Sequence, residues 1–317
     1  VAASGPEDAL ARASEMEAAA LRFDPRVATT DGASYRRALS AVGLVCSSGF
    51  RSGYGMSTVS AGVIPVAQDD GGRKRRGAHW STARHLSDVM ELAAIGEQAA
   101  QKTLAKLGAR SVPTCRVPVV FHPDAGRTLL RSLSQCVLGS SARRRSSYLA
   151  SREGTKVASA LVTIADDPLL LRGPASRPFD GEGIATRRNV VVEQGILRAF
   201  LCDSHSARHL GRETTASAAR GISGGLHAST SNFVLLPGTS RSEALIRETR
   251  RGLYVTDLMG YGFTPLTGDF SRGAAGFWIE GGEIAFPVHE VTVAGNFDEL
   301  WQNIDAVGDD LQVRTPT

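Results

Sequence analysis

Apolar residues Leu10, Ala13, Met16, Ala20 and Leu21 recur at helical intervals ahead of Asp24-Pro25. That spacing predicts one amphipathic helix over residues 6–22, stopped where proline cannot continue it. Three β-prone runs follow, at residues 41–46, 53–64 and 79–83, separated by turns rich in Ser, Gly and Asp. An Ala-rich stretch with leucines at helical spacing then runs from Asp88 to Leu107 and meets Gly108, a helix-terminating glycine. Helix, sheet, helix makes a small α+β domain over residues 1–110. Pro113 and Pro118 mark the boundary to a second domain, 111–317.

Beyond that boundary the pattern turns mostly to strands. Residues 117–121, 157–165, 232–236 and 253–258 read as strands, and 189–202 as a hairpin about Glu193-Gln194-Gly195. Helices are predicted at 128–138, after the capping-box pair Ser240 and Glu243, and near 297–307. The most distinctive stretch is TGDFSRGAAGFWIE (267–280), followed by GGEIAFPVHE (281–290) and VTVAGN (291–296). Gly268, Gly273 and Gly276 suggest an irregular loop, feeding a hairpin with arms at 277–279 and 284–286. The fold class is therefore α+β: a small α+β domain, then a larger, mostly antiparallel β domain with a few helices.

At 317 residues and 42% hydrophobic content the chain can bury a substantial core. No stretch reaches the roughly 18 to 20 apolar residues of a membrane span, and no signal peptide opens the sequence, so a cytoplasmic protein is expected. Cys46, Cys115, Cys136 and Cys202 are widely spaced without a CxxC pair, which points to reduced thiols. The net charge is +4, with basic runs at 73–76 and 143–145. Neither run is interleaved with aromatics, and Gly71, Gly72 and Gly77 give the first the look of a hairpin tip. A solvated face is expected in preference to a nucleic-acid site.

Several patterns suggest chemistry, each with a plainer structural alternative. Cys202, His205 and His209 could ligate a metal, since His at i and i+4 share a helix face, or could be a thiol and two solvent-facing histidines leaving a strand. Gly221-Ile222-Ser223-Gly224-Gly225, with Asp257 and His289 downstream, matches a hydrolase nucleophile pattern. It lacks the preceding buried strand and following helix that a nucleophile elbow needs. His289-Glu290 is half of a zinc motif whose second histidine is replaced by Val293. The Gly-rich 267–276 stretch lacks the Lys-Ser/Thr pair of a phosphate loop.

The 267–296 stretch also resembles the C-terminal signature of the TldD/PmbA family, called modulators of DNA gyrase, in its PmbA (TldE) branch. Asp24-Pro25-Arg26, STARHL (81–86), VPVVF (117–121), SRPFDGEGIATR (176–187), RGLYVT (251–256) and AVGDD (306–310) resemble that branch in the same order. The resemblance implies that this sequence begins where the family's second domain does and stops before its last strands, beyond Val313. It implies a metallopeptidase in which TldD holds zinc through an HExxxH helix and a C-terminal cysteine. Residues 119–148 laid on that helix put Ser132, Leu133 and Val137 at the ligand and base positions.

The resemblance therefore implies a non-zinc subunit, without its own metal or catalytic residues, in a heterodimer with a TldD-like partner, a homodimer being the other assembly. Its substrates would be extended peptides and small precursor proteins. Asp269, Arg272, Gly273 and Gly276 of the 268–276 loop, and Ser229 of the 220–231 loop together with Asn232, are the candidates for a substrate chamber. Asp269 and Arg272 could instead pair with each other. Phe277, Trp278 and Phe286 are candidates for the partner interface. The alternatives are an independent hydrolase built on Ser223, a metal enzyme built on Cys202, His205 and His209, or a nucleic-acid or gyrase-associated regulator.

Overall fold

A computed structural model describes residues 5–69, 71–221 and 225–312. Helix α1 (Pro6–Phe23) starts on Pro6, with Glu7 and Asp8 in its first turn favouring the positive end of the helix dipole. A long antiparallel hairpin follows, β1 (Val27–Val45) and β2 (Arg51–Gln68). Strands β3 (Lys74–Arg76) and β4 (His79–Ala83) both pair with β2. Helix α2 (Leu92–Leu104) closes this unit, and the chain leaves it through Gly108 at φ +71°. Met16 and Ala20 of α1, Ala61 and Val63 of β2, and Ile95 and Ala99 of α2 form its core. The hairpin begins earlier than residue 41, because pairing with β2 carries the Ser-, Thr- and Arg-rich first half of β1 despite its polar composition.

The second unit holds two four-stranded sheets. Its elements in chain order are β5 (Val119–Phe121), α3 (Pro123–Cys136), α4 (Gly139–Arg143), β6 (Ile164–Asp166), β7 (Asn189–Glu193), β8 (Ile196–Leu197), α5 (Ser204–His209), β9 (Ala218–Arg220) and β10 (Leu226–Ala228). They are followed by β11 (Phe233–Leu235), α6 (Ser242–Glu248), β12 (Arg251–Met259), β13 (Asp269–Glu280), β14 (Glu283–Asn296) and α7 (Phe297–Gln302). One sheet has the order β14-β13-β12-β5, with β5 parallel to β12 and the other pairs antiparallel. The other has the order β11-β6-β7-β8 and is antiparallel throughout. Leu129, Leu133 and Val137 from α3 and its cap join Ile164, Val191, Leu197, Phe270, Phe297 and Trp301 in the main core. The class is α+β with mostly antiparallel sheets and few helices.

The strand expected over 157–165 forms only at β6 and the helix expected from Asp88 to Leu107 only over α2, and two further segments depart for identifiable reasons. Residues 269–276 are not a loop: β13 begins at Asp269, pairing with β14 from there and with β12 from Gly273 onward. The Ser240/Glu243 capping box does not form, because Ser240 is drawn into a bridge with Gly308 and accepts a hydrogen bond from the Asp309 amide (2.9 Å). Arg241 then occupies the cap position of α6 without a side-chain cap.

Side chains tie the two units together. Phe179 meets Phe50 and Tyr54 edge to face, at 5.1 Å in each case. Arg84 donates to the carbonyls of Gly173, Pro174 and Ser176 at 2.8–3.1 Å. Among the described residues no helix is long and apolar enough to cross a membrane.

Candidate functional site

Strand β11 is the outer strand of its sheet, and β5 is the outer strand of the other. Antiparallel pairing alternates the direction of main-chain groups. The Asn232 carbonyl accepts from the Asp167 amide (2.9 Å) and the Leu236 amide donates to the Thr163 carbonyl (2.9 Å), so the main-chain groups of Phe233 and Leu235 face away from β6. On β5, the Pro118 carbonyl and the His122 amide bond to β12, so those of Val119 and Phe121 face away from it. Both strands line a single groove of about 2040 Å³. One face of α3, carrying Arg127, Leu130, Arg131, Ser134 and Gln135, lines the same groove. Its chemistry suits an extended main chain: two strand edges in β geometry, among apolar and mixed-charge walls.

The groove's edge is braced from beneath. Asp166 of β6 is buried and accepts from the Ser231 amide (2.6 Å) and hydroxyl (2.9 Å), just ahead of β11. Burial pushes its carboxyl up to about 6 and outweighs the two hydrogen bonds and Arg177, which act the other way. The folded value lies above the ordinary one of about 3.9. The stability linked to this proton is therefore fully present below about pH 4 and is lost as the pH rises through 6. Asn232 lines the groove through a saturated side chain: its Oδ1 accepts from the Ala175 amide (2.9 Å), and its Nδ2 donates to the Asp167 carbonyl (2.6 Å) and Ser176 Oγ (2.9 Å). Ser229 also lines the groove, half-buried, with its amide on the Ser217 carbonyl (2.8 Å).

The other residues singled out in the sequence lie elsewhere. Asp269 and Arg272 do not pair, because residues three apart on a strand point to opposite faces. Asp269 is exposed and accepts from Thr267 Oγ1 (2.6 Å) and Asn296 Nδ2 (2.9 Å), which hold its carboxyl below the usual range. Arg272 Nη1 donates to the Gly260 carbonyl (2.8 Å), and its Nη2 to Ser132 Oγ (3.1 Å) on α3. Gly273 and Gly276 are strand residues within the sheet. Trp278 is buried with Leu253, Val255, Ala274 and Val288, whereas Phe277 and Phe286 are half-buried. Phe286 stacks on Trp278 at 6.5 Å.

The residues present do not fit zinc. Ser132, Leu133 and Val137 are all buried, and the leucine and valine offer no donor atom. Cys202 packs inward against Gly139, where burial pushes its thiol up, while His205 and His209 stand exposed on α5 with rings 4.4 Å apart. The strand-to-helix turn thus sends the thiol and the two imidazoles in different directions. Among the described residues no three His, Cys, Asp or Glu side chains gather as a metal-binding group. Ser223 lies outside the described residues. Its proposed partners are engaged separately, Asp257 with Lys106 (3.1 Å) and His289 with Arg75 (3.2 Å). In the basic run, Arg75 and Arg76 pair with Asp69 (2.8 Å) and Asp31 (2.7 Å).

Two family models match the chain: the PmbA/TldA metallopeptidase central domain over residues 2–107 and the PmbA/TldA metallopeptidase C-terminal domain over residues 114–317. The chain belongs to the PmbA/TldA metallopeptidase family. Metalloprotease PmbA of Escherichia coli O157:H7 is 36% identical over 310 residues, covering 98% of this chain and 67% of that protein. A Thermotoga maritima protein described as a modulator of DNA gyrase superposes with a TM-score of 0.92 at 28% identity, over 98% of this chain and 71% of that one. TldE of Thermococcus kodakarensis gives 0.88 at 26% identity, over 97% and 70%. The chain thus spans about two thirds of the length of these relatives.

The family resemblance seen in the 267–296 signature therefore holds, and it extends over nearly the whole chain. The two strand edges were missed. The β-prone runs Val119-Val120-Phe121 and Phe233-Val234-Leu235 signal strands, but nothing local signals that both are outermost and face one groove.

Proposed function

We propose that this chain is the PmbA/TldE-type, non-zinc subunit of a TldD/PmbA metallopeptidase that degrades or trims unfolded peptides and small precursor proteins inside the cell. The observation that carries the reading is the groove bounded by two open strand edges, beside a helix with Leu133 and Val137 at the base and ligand positions. An extended peptide adds to β11 by main-chain hydrogen bonds, which tolerate many side-chain sequences. Asn232 and Ser231 hold that edge in place. A TldD-like partner supplies the zinc and the general base. This chain binds the peptide, fixes its direction and closes the chamber against water.

Elemental analysis tests this division of labour. The purified chain should carry less than about one-tenth equivalent of zinc, since a competent site needs at least three protein ligands. Stoichiometric zinc, lost on substituting His205 or His209, would overturn the reading.

A further inference from the structure

The main core is not closed on the groove side. Leu130 of α3, Phe233 and Leu235 of β11, Leu300 of α7 and Ile304 just beyond it pack against that core yet stay half-buried, and all five line the groove. Helix α3 lies against β11, so these side chains form one apolar flank beside the strand edge. Inside a sheet the next strand would cover such a flank. Here β11 is outermost, and among the described residues no strand pairs with its other edge. Arg127 and Arg131 border Leu130 on α3, which bounds the flank with charge.

Register fixes what a peptide strand on this edge does with its side chains. The main-chain groups of Phe233 and Leu235 point into the groove, so the peptide residues opposite these two form the hydrogen-bonded pairs. Directly opposed residues place their side chains on the same face of a sheet. For Leu235 that face is marked by its partner on β6, Ile164, which is fully buried in the main core. Asp166, opposite Phe233, is buried on Ser231 and does not line the groove, so it brings no charge to the peptide. Two peptide residues at i and i+2 therefore lay their side chains on the open flank. The residue between them turns to the other face, with Val234 and its partner Ala165.

We propose that this edge selects unfolded segments with the pattern of a half-buried β-strand, apolar at i and i+2, whose apolar side chains settle opposite Phe233 and Leu235 and complete the main core. The inference rests on the peptide-binding reading above and gives it a substrate class. Main-chain pairing alone admits any sequence; the flank adds a preference to it. In a folded sheet such a face is turned to its own core, so the pattern becomes available only on unfolding. A helix or a folded surface, whose own main chain is already paired, would cover the flank but leave the groups of Phe233 and Leu235 unmatched.

The test uses two labelled, unstructured peptides of identical composition, each with two leucines in a background of Ser, Thr and Gly. One carries the leucines at i and i+2, the other at i and i+1, which sends one of them to the opposite face. By fluorescence anisotropy the first should bind at least about tenfold more tightly, the scale of burying one leucine. Leu130→Gln should bring that ratio to within about threefold by removing part of the flank. Leu130→Met, which keeps the wall apolar, should preserve it at a matched melting temperature. Equal affinities of the two peptides would overturn the preference and leave β11 standing as a peptide edge. Binding of neither would overturn the preference and the peptide-binding reading together. An unchanged ratio in the Leu130→Gln chain would overturn the preference by placing the leucines elsewhere. So would a peptide affinity that falls as the chain's own concentration rises, by giving the flank to a second copy.

Discussion

Gly276→Val should abolish soluble, folded protein, whereas Gly273→Val should fold. Gly276 sits beside two register slips, one between Val255 and Asp257 in the β12–β13 pairing and one between Ala274 and Gly276 in the β13–β14 pairing. A Cβ there would overlap the Tyr254 carbonyl oxygen and lie 2.9 Å from the Val255 Cα. Both are backbone atoms of the neighbouring strand, so relief requires the two strands to part above the Val255 and Trp278 core. Overpacking of this kind costs about 3 kcal/mol or more, a large share of the ~5–15 kcal/mol that holds a domain folded. At Gly273 the nearest atoms belong to Met259 at 3.7 Å, an ordinary contact, and valine suits a strand. Soluble yield and thermal melting of the two variants decide the matter. Equal behaviour would mean that 269–276 acts as the flexible loop its glycines suggest, not as a sheet strand.

Leu235→Pro should block peptide binding without unfolding the protein. The Leu235 amide points to the groove and takes no part in pairing with β6, so proline at this edge position removes a donor from the groove side alone. The neighbouring Val234 faces β6, and Val234→Pro should instead lose the sheet and with it the fold. Because Leu235 packs against the main core, Leu235→Ala is the reference for the lost side chain. An unfolded, labelled peptide should bind Leu235→Pro at least tenfold more weakly than Leu235→Ala, because an unmatched peptide carbonyl costs ~1–3 kcal/mol. Equal affinities, measured by fluorescence anisotropy on chains with matched melting temperatures, would remove β11 as the peptide's edge.

Local pattern carried much of the fold. The spacing of Met16 and Ala20, the left-handed turn at Gly108 after α2, and the Gln194-Gly195 turn between β7 and β8 each follow from propensities that act over a few residues. The glycines of 269–276 misled for an instructive reason. Gly276 serves close backbone approach between strands, which sequence cannot tell apart from a need for loop freedom. Ser240 failed as a cap because a segment nearly seventy residues downstream competes for its main chain. Of the residues that the sequence singles out, Ser229 and Asn232 line the groove. The bracing of Ser231 by Asp166 and of Ser132 by Arg272 joins residues 65 and 140 positions apart. No local period encodes such pairs, so they emerge only once the sheets are assembled.

The proposed division of labour has this chain orient peptides for a metal held elsewhere. Its most direct test is turnover of one unfolded peptide by this chain, by the TldD-type subunit, and by the two mixed. The mixture should exceed the sum of the separate rates by roughly 100-fold, the scale on which substrate positioning governs a reaction. Hydrolysis by this chain alone at the rate of the mixture would contradict the account.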